Sequence, residues 1–198
     1  EIRLSLVGSE MCIRDRKNTV HYSDDVLKDW IENESLNETL ANRADSIRRN
    51  IYGDEVYVRG LIEFSNFCRN DCFYCGIRKS NKNVERYRLT PQEIIDCADI
   101  GYKLGFRTYV MQGGEDTYYT DDMIVEVIEA VKDKHPDTAI TLSLGEKSYE
   151  SYKRFYESGA DRYLLREETS DRKHYNKLHP SYMSFYNRRE SLWQLKEI

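Results

Sequence analysis

From residue 56 to the last residue given, strand-like and helix-like segments alternate, and this alternation constrains the fold more than any other feature. Four apolar runs typical of buried strands lie at residues 56–64, 106–112, 138–144 and 161–166. Each run is followed by residues that start helices, such as Thr90-Pro91 with Glu93. Four such units average about 36 residues each, a normal size for a strand, a helix and their loops. The sequence therefore predicts an α/β fold with a parallel sheet.

The residues before these units divide into two parts. Residues 18–55 are predicted to form a helical extension, with one helix over 24–33 that follows Ser23. A second helix is predicted to begin at Ser35, where Glu38 completes a capping box, and to end at Gly53. Residues 1–17 follow neither a helix nor a strand period and resemble a translated sequencing adapter. We interpret them as a non-native leader and exclude them from the fold.

Composition excludes several classes of protein. A chain with 39% hydrophobic and 12% aromatic residues is too apolar for disorder. Its longest apolar run is four residues, far below the roughly 20 that span a bilayer, so we expect no membrane segment. A net charge of −5 argues against a nucleic-acid partner. The five cysteines and the lack of a secretory pattern indicate a reducing, cytoplasmic setting in which clustered cysteines bind metal or catalyse.

Three of the cysteines form a C-x3-C-x2-C cluster just after the first predicted strand: Cys68, Cys72 and Cys75. The carboxyl ends of parallel strands meet at one edge of the sheet, where active sites form. Three thiolates suit a 4Fe–4S cluster with one iron left open for a ligand. Zinc completed by a distant fourth ligand, and three unrelated buried cysteines, remain as alternatives. Cys97 falls inside a predicted helix and is expected to be a small buried residue.

The cysteine spacing, with an aromatic residue before the last cysteine, resembles the radical S-adenosylmethionine (SAM) superfamily. Within it, the chain is similar to the HydE group, the maturases of FeFe-hydrogenase, and also to biotin synthases and methylornithine synthases. The segments that carry the similarity to HydE are 63–66, 75–76, 86–91, 112–116, 141–146, 160–166, 178–180 and 184–185. The resemblance implies a (β/α)8 TIM-type barrel of which this chain, shorter than the usual 250 residues or so, holds about the first four βα units at residues 56–198.

The resemblance also implies two cofactors, a 4Fe–4S cluster and SAM, and a role for each site residue. The cluster ligands would be Cys68, Cys72 and Cys75. The residues implied to contact SAM are Tyr74, Gly113, Gly114, Glu115, Glu168 and Arg188, of which Arg188 would pair with the SAM carboxylate. For the last two, a solvated surface charge is the alternative. Thr141 and Ser143 share one face of the third strand and are expected near substrate or SAM.

The activity implied is generation of a 5′-deoxyadenosyl radical for maturation of the diiron subcluster of the hydrogenase. The substrate would be a small-molecule or iron-containing precursor, and the partners would be other hydrogenase maturases. Two other functions stay open: a biotin synthase-like or methylornithine synthase-like enzyme, and a non-catalytic Fe–S or zinc module. The missing half of the barrel leads us to expect a fragment whose own activity is incomplete.

Overall fold

The computed structural model describes residues 23–198, and the chain divides into two units between Tyr57 and Val58. In the first unit, helix α1 (Asp24–Glu32) begins after Ser23, whose side chain accepts a hydrogen bond from the N–H of Val26. A 3₁₀ turn (Glu34–Leu36) and helix α2 (Asn37–Tyr52) follow. Helix α2 ends at Gly53, whose φ of 65° suits glycine. Both helices and the glycine stop agree with the expectation.

The prediction of a capping box at Ser35 and Glu38 is wrong. Ser35 lies inside the 3₁₀ turn, and its hydroxyl donates to Asn33 Oδ1 over 2.6 Å. The same oxygen accepts the backbone N–H of Ser35, so the asparagine starts the turn and takes the serine out of the capping role. Helix α2 then begins behind Leu36 with no side-chain cap. The leader proposed for residues 1–17 lies outside the described residues.

The second unit is built on a four-stranded sheet in the order β1-β2-β3-β4, and all three neighbouring pairs are parallel. The strands are β1 (Gly60–Ser65), β2 (Thr108–Gly113), β3 (Ala139–Ser143) and β4 (Arg162–Tyr163). The helices between and after them are α3 (Pro91–Lys103), α4 (Asp121–Lys134), α5 (Tyr149–Glu157), α6 (Arg172–Leu178) and α7 (Phe185–Glu197). The predicted alternation and the parallel sheet are therefore confirmed.

The core lies on one face of this sheet. Alternate strand residues such as Phe64, Met111 and Leu142 pack there in one buried cluster with Ile94 of α3 and Ile128 of α4. The opposite face is open and more polar, and Leu61 on it is 57% exposed. Its side chains near the carboxyl ends of the strands include Glu63, Gln112, Thr141 and Ser143. The two-residue period of the strands thus separates a helix-covered apolar layer from a polar layer.

Four details differ from the sequence-based expectation. Strand β1 starts at Gly60 and leaves Val56 81% exposed. Strand β4 has two residues in place of six, although backbone bonds from residues 161 and 164 to β3 extend its pairing. Helix α6 was not predicted, because seven residues after the Asp171 cap are too few to show a period. Cys97 is exposed on α3, not buried. No helix within residues 23–198 is long and apolar enough to cross a membrane.

Candidate metal and cofactor site

The three cysteines lie on the long loop between β1 and α3, which is held in shape by Arg86. The Arg86 guanidinium donates hydrogen bonds to four backbone carbonyls of this loop, those of Asn66, Ile77, Arg78 and Asn81. The side chain of Asn66 also holds the loop, because it donates a hydrogen bond to the carbonyl of residue 85 and accepts one from the N–H of residue 87. The backbone carbonyls of an irregular loop need hydrogen-bond donors, and here the guanidinium of Arg86 supplies donors to four of them. The loop is therefore a folded unit that can present its thiols at fixed positions.

All three thiols are half-buried and lie close enough to influence one another. Burial raises the pKa of Cys68, and burial together with the neighbouring Cys68 and Cys75 raises the pKa of Cys72 to about 11. Cys72 Sγ also lies 3.6 Å from Met183 Sδ. Crowded, partly desolvated thiols resist ionisation unless a cationic centre compensates their charge. A group of irons that binds several thiolates supplies that compensation.

The arrangement of the thiols suits a cluster better than a single ion. Within residues 23–198, no three His, Cys, Asp or Glu side chains are grouped tightly enough to hold one metal ion. The thiolates of a 4Fe–4S cluster bind different irons, so they need not converge on one point. The residues present therefore fit the cluster expected from the spacing, whereas a single zinc ion finds no such group of ligands in the described chain.

Gly114 packs directly against the cysteine loop, whereas its neighbour Gly113 does not. A Cβ at Gly114 would lie 2.1 Å from the carbonyl oxygen of Phe67 and 2.8 Å from Cβ of Cys68. At Gly113 the nearest atoms would be 3.4 Å away, an ordinary contact. The end of β2 can thus approach the first cysteine only because residue 114 has no side chain. Of the two glycines expected to contact SAM, the second has a packing role that the sequence does not reveal.

Glu115 connects three loops at this edge of the sheet. Its carboxylate accepts hydrogen bonds from the Arg69 side chain and from the backbone N–H of Glu146, and its own carbonyl accepts the N–H of Arg69. The side chain is 11% exposed and crosses Gly145, where a φ of 76° and a Cβ position 2.2 Å from Glu115 Cγ both require glycine. Glu115 therefore ties the cysteine loop to the loop after β3.

Asp116 makes a second, separate connection to the end of β1 and to the chain before α3. Its nearly buried carboxylate accepts a hydrogen bond from Ser65 Oγ at 2.6 Å and two from the Arg88 guanidinium at 2.7 and 2.9 Å. Burial by itself would raise the pKa of Asp116, but these hydrogen bonds outweigh it and hold the pKa below its usual range. The Arg88 guanidinium also lies 3.8 Å from the ring centroid of Phe67. Arg88 and Asp116 belong to two of the segments similar to HydE, but the sequence predicted a role for neither residue.

Arg188 is buried, so it is not the solvated surface charge that was the alternative. Its Nε donates to Glu146 Oε1 at 2.6 Å and its Nη1 to the carbonyl of Arg166 at 2.5 Å. Burial alone would lower the pKa of Arg188, but the bond to Glu146 outweighs it and keeps the guanidinium charged. The neighbouring Arg189 is half-buried; it lies 3.5 Å from Glu167, and its guanidinium lies 5.7 Å from the ring centroid of Phe185. Arg188 is thus a buried cation near Cys72 whose Nε and Nη1 are hydrogen-bonded. Its positive charge opposes the rise in the pKa of Cys72.

Tyr74 of the cysteine loop and Glu168, just past β4, contact each other. Burial and the carboxylate of Glu168, which accepts a hydrogen bond from Tyr74, raise the pKa of the phenol. Glu168 is exposed and has a φ of 65°, an unusual conformation for a residue other than glycine. The Tyr74 hydroxyl also lies 3.3 Å from Nε2 of His179. His179 is 2% exposed and belongs to segment 178–180, which is similar to HydE, but the sequence did not predict a role for it.

Thr141 and Ser143 lie, as expected, on the same face of β3, which is the open face of the sheet. Thr141 is 6% exposed, and its Oγ1 is buried without a hydrogen-bond partner among the described residues. Ser143 is half-buried and follows two positions later, nearer the edge where the cysteine loop lies. A buried hydroxyl without a partner is costly, so Thr141 fits a position that meets a ligand or another part of the barrel interior.

Curated relatives align with most of the chain. It is 46% identical over 179 residues to the [FeFe] hydrogenase maturase subunit HydE of Thermotoga maritima, an alignment that covers 89% of this chain and 51% of that protein. It is 32% identical to 3-methylornithine synthase of Methanosarcina acetivorans, over 84% of this chain and 49% of that protein. The chain thus spans about half the length of the curated relatives it matches.

Solved structures agree with the fold. The structure of methylornithine synthase (PylB) superposes with a TM-score of 0.81 at 28% identity and covers 93% of this chain and 55% of that chain. HydG, a maturase of the [FeFe]-hydrogenase, gives 0.74 at 27% identity over 84% of this chain and 38% of that chain. These neighbours are radical SAM barrel enzymes, so the expectation of a partial TIM-type barrel is confirmed.

The family model of the Radical SAM superfamily matches residues 62–196, which span β1 to α7 and include the whole cysteine loop. Members of this superfamily are enzymes that bind a 4Fe–4S cluster and SAM, as the sequence motifs implied. The sheet, the loop of three thiols at its carboxyl edge and this match agree with one another. The chain belongs to the radical SAM superfamily.

Proposed function

We propose that Cys68, Cys72 and Cys75 hold a 4Fe–4S cluster and that SAM binds beside it at the carboxyl edge of the sheet. When bound, the cluster supplies the electron that splits SAM into methionine and the 5′-deoxyadenosyl radical. The observation that carries this proposal is the grouping of three half-buried thiols with one buried cation, Arg188, whose charge reaches Cys72.

The remaining site residues each have a task in this proposal. Arg188 binds the SAM carboxylate through the part of its fork that Glu146 and the Arg166 carbonyl leave free. The half-buried backbone at Gly113 and Gly114 approaches the methionine end, and Glu115 fixes that segment to the cysteine loop. Tyr74 and Glu168 form the wall on the opposite side. Thr141 and Ser143 line the open face of the sheet near the substrate.

We further propose that the protein acts in maturation of the diiron subcluster of FeFe-hydrogenase, together with other hydrogenase maturases in the cytoplasm. The support is the 46% identity to HydE over 89% of this chain, against 32% to the methylornithine synthase and to a biotin synthase of Staphylococcus aureus. The substrate would be a small-molecule or iron-containing precursor. The net charge of −5 is in keeping with a partner other than nucleic acid.

The cofactor proposal is tested by anaerobic reconstitution of the chain with iron and sulfide. The wild type should bind about four irons and, after reduction, convert SAM to 5′-deoxyadenosine and methionine. Cys72→Ala should lose the cluster, because two thiolates remain. Cys97→Ala is the matched control, since Cys97 is exposed on α3, outside the cysteine loop, and should keep the iron of the wild type. Full iron binding by Cys72→Ala would refute the assignment.

The maturation role is tested by adding the reconstituted protein to an extract that lacks HydE but contains the other maturases and the apo-hydrogenase. Restored hydrogen evolution supports the HydE-like role. The same protein should be assayed in parallel for biotin synthase and methylornithine synthase activity. Formation of biotin or methylornithine, with no restored hydrogenase, would replace the maturation role by one of the two related activities.

A further inference from the structure

Tyr175 on helix α6 carries a buried hydroxyl that bonds to nothing in the described part of the chain. The residue is 0% exposed, and its hydroxyl has no hydrogen-bond partner. Its ring is firmly held, stacked on His179 with centroids 3.9 Å apart and in edge contact with Phe185 at 5.5 Å. The hydroxyl does not reach bulk water, because the whole side chain is buried.

The charges around this hydroxyl are those of the candidate site. Burial raises the pKa of Tyr175 to about 12, the charge of Arg188 opposes that change, and the charges of Glu146 and Cys72 add to it. The geometry agrees, because Tyr175 stacks on His179, whose Nε2 lies 3.3 Å from the hydroxyl of Tyr74 in the cysteine loop. The last residue of α6, Leu178, also accepts the backbone N–H of Phe73 in that loop at 2.9 Å. Tyr175 therefore lies beside the candidate site, although no residue of α6 was expected there.

A phenylalanine would fill the same space without cost, so the hydroxyl needs an explanation. A buried polar group without a partner destabilises a protein, and such groups are rare in native structures. His179 does not provide the partner, because its Nδ1 faces the Tyr175 carbonyl at 2.9 Å and its Nε2 faces Tyr74. The described residues thus leave the partner of this hydroxyl to a ligand of the site or, as for Thr141, to another part of the barrel.

The neighbours of the hydroxyl decide the chemistry of that ligand. A guanidinium can only donate hydrogen bonds, and a phenol that is not bonded to it has a proton to donate as well. A group that satisfies both must be an anionic acceptor, and the only anionic group of SAM is its carboxylate. We propose that the Tyr175 hydroxyl donates a hydrogen bond to the SAM carboxylate held by Arg188. This inference rests on the proposed binding of SAM.

The role of His179 follows from the same geometry. A carbonyl can only accept, so His179 Nδ1 donates a hydrogen bond to the Tyr175 carbonyl, and its Nε2 lies 3.3 Å from the Tyr74 hydroxyl. The ring also stacks on Tyr175. One buried imidazole thereby sets the position of the phenol on α6 and anchors Tyr74 of the cysteine loop.

The test compares Tyr175→Phe with the wild type in the anaerobically reconstituted chain with its cluster oxidised, so that SAM binds without being cleaved. Equilibrium dialysis should give a SAM dissociation constant raised roughly 10- to 100-fold, the effect of losing a hydrogen bond to a charged group. The unfolding midpoint of the cluster-free variant should equal or exceed that of the wild type, because no protein–protein hydrogen bond is lost.

Tyr109→Phe is the matched control. Its hydroxyl is equally buried but donates to the Ala98 carbonyl at 2.9 Å, on the helix-covered face of the sheet. That variant should unfold at lower denaturant concentration and bind SAM as the wild type does. The two tyrosines are thus expected to give opposite patterns of affinity and stability.

Two results would overturn the inference while leaving the proposed function intact. One is unchanged SAM affinity in Tyr175→Phe when the wild type binds SAM. The other is a changed reduction potential of the SAM-free cluster in Tyr175→Phe, since the hydroxyl would then bond to the cluster and not to SAM. A wild type that holds its cluster yet binds no SAM would refute the proposed function, and this inference with it.

Discussion

Replacing Gly114 by alanine should separate the cysteine loop from the end of β2. The new Cβ would lie 2.1 Å from the Phe67 carbonyl oxygen and 2.8 Å from Cβ of Cys68. Carbon–oxygen contacts normally lie near 3.3 Å, so an opening of about 1 Å is required. The obstructing atoms belong to the backbone and to the root of a side chain, so no rotamer change relieves the overlap.

The magnitude follows from that required movement. Overpacking of this kind costs about 1–3 kcal/mol, and we expect about 3 kcal/mol because the obstruction is backbone. Functional sites tolerate displacements of only about 0.5 Å, so the first cluster ligand should also be misplaced. Gly113→Ala is the control: its nearest atoms are 3.4 Å away, and neither glycine has a positive φ. Its stability should stay within about 1 kcal/mol of the wild type.

Two assays check these expectations on the same three proteins. Urea unfolding of the cluster-free chains gives the free energy of unfolding, and iron analysis after anaerobic reconstitution gives the cluster content. Gly113→Ala should have nearly the stability and iron content of the wild type, whereas Gly114→Ala should have lower stability and much less iron. If Gly114→Ala matched Gly113→Ala in both assays, the close approach of β2 to Cys68 would not determine the site.

Two further predictions concern the supports of the cysteine loop. Arg86→Gln removes the donor to four loop carbonyls and should lower the free energy of unfolding by about 3 kcal/mol, with faster proteolysis between residues 69 and 85. The control Lys82→Gln, on the exposed surface, should change neither quantity. Equal cleavage rates in the two variants would contradict this role of Arg86. Asp116 has a pKa lowered on folding, so its stabilisation is present above the unfolded pKa of about 3.9 and is lost as pH falls further. In urea melts, the deficit of Asp116→Asn should therefore be full at pH 7 and shrink below about pH 4; a constant deficit would count against it.

Much of the fold could be predicted because its determinants are local. The helix starts at Thr90, Thr120, Ser148 and Ser184 are each made by a side chain that bonds an N–H three residues away. The stops at Gly53, Gly105 and Gly159 coincide with positive φ values, which only the local backbone decides. Errors occurred where several local signals compete, as at Ser35, where Asn33 supplies the bond that starts the turn.

The candidate site could be predicted in its metal-binding part and less well elsewhere. The thiols are close in sequence, so their spacing alone shows that they can share one centre. The charged residues are distant in sequence, and their partners depend on how loops meet: the Arg188–Glu146 pair spans 42 residues and the Tyr74–His179 contact 105. No pattern along the chain distinguishes these from surface charges or core aromatics.

The sequence by itself determined the parallel α/β architecture, the cysteine loop after the first strand and the superfamily, because periodicity, capping and cysteine spacing are properties of short segments. Only the tertiary structure decided that Gly114 must lack a side chain, that Arg188 is buried against Glu146, and that the Tyr175 hydroxyl has no partner among residues 23–198. Each of these depends on atoms that folding brings together from different loops. Contacts of that kind arise from the packing of the strands and helices, so they become visible only when the chain is folded.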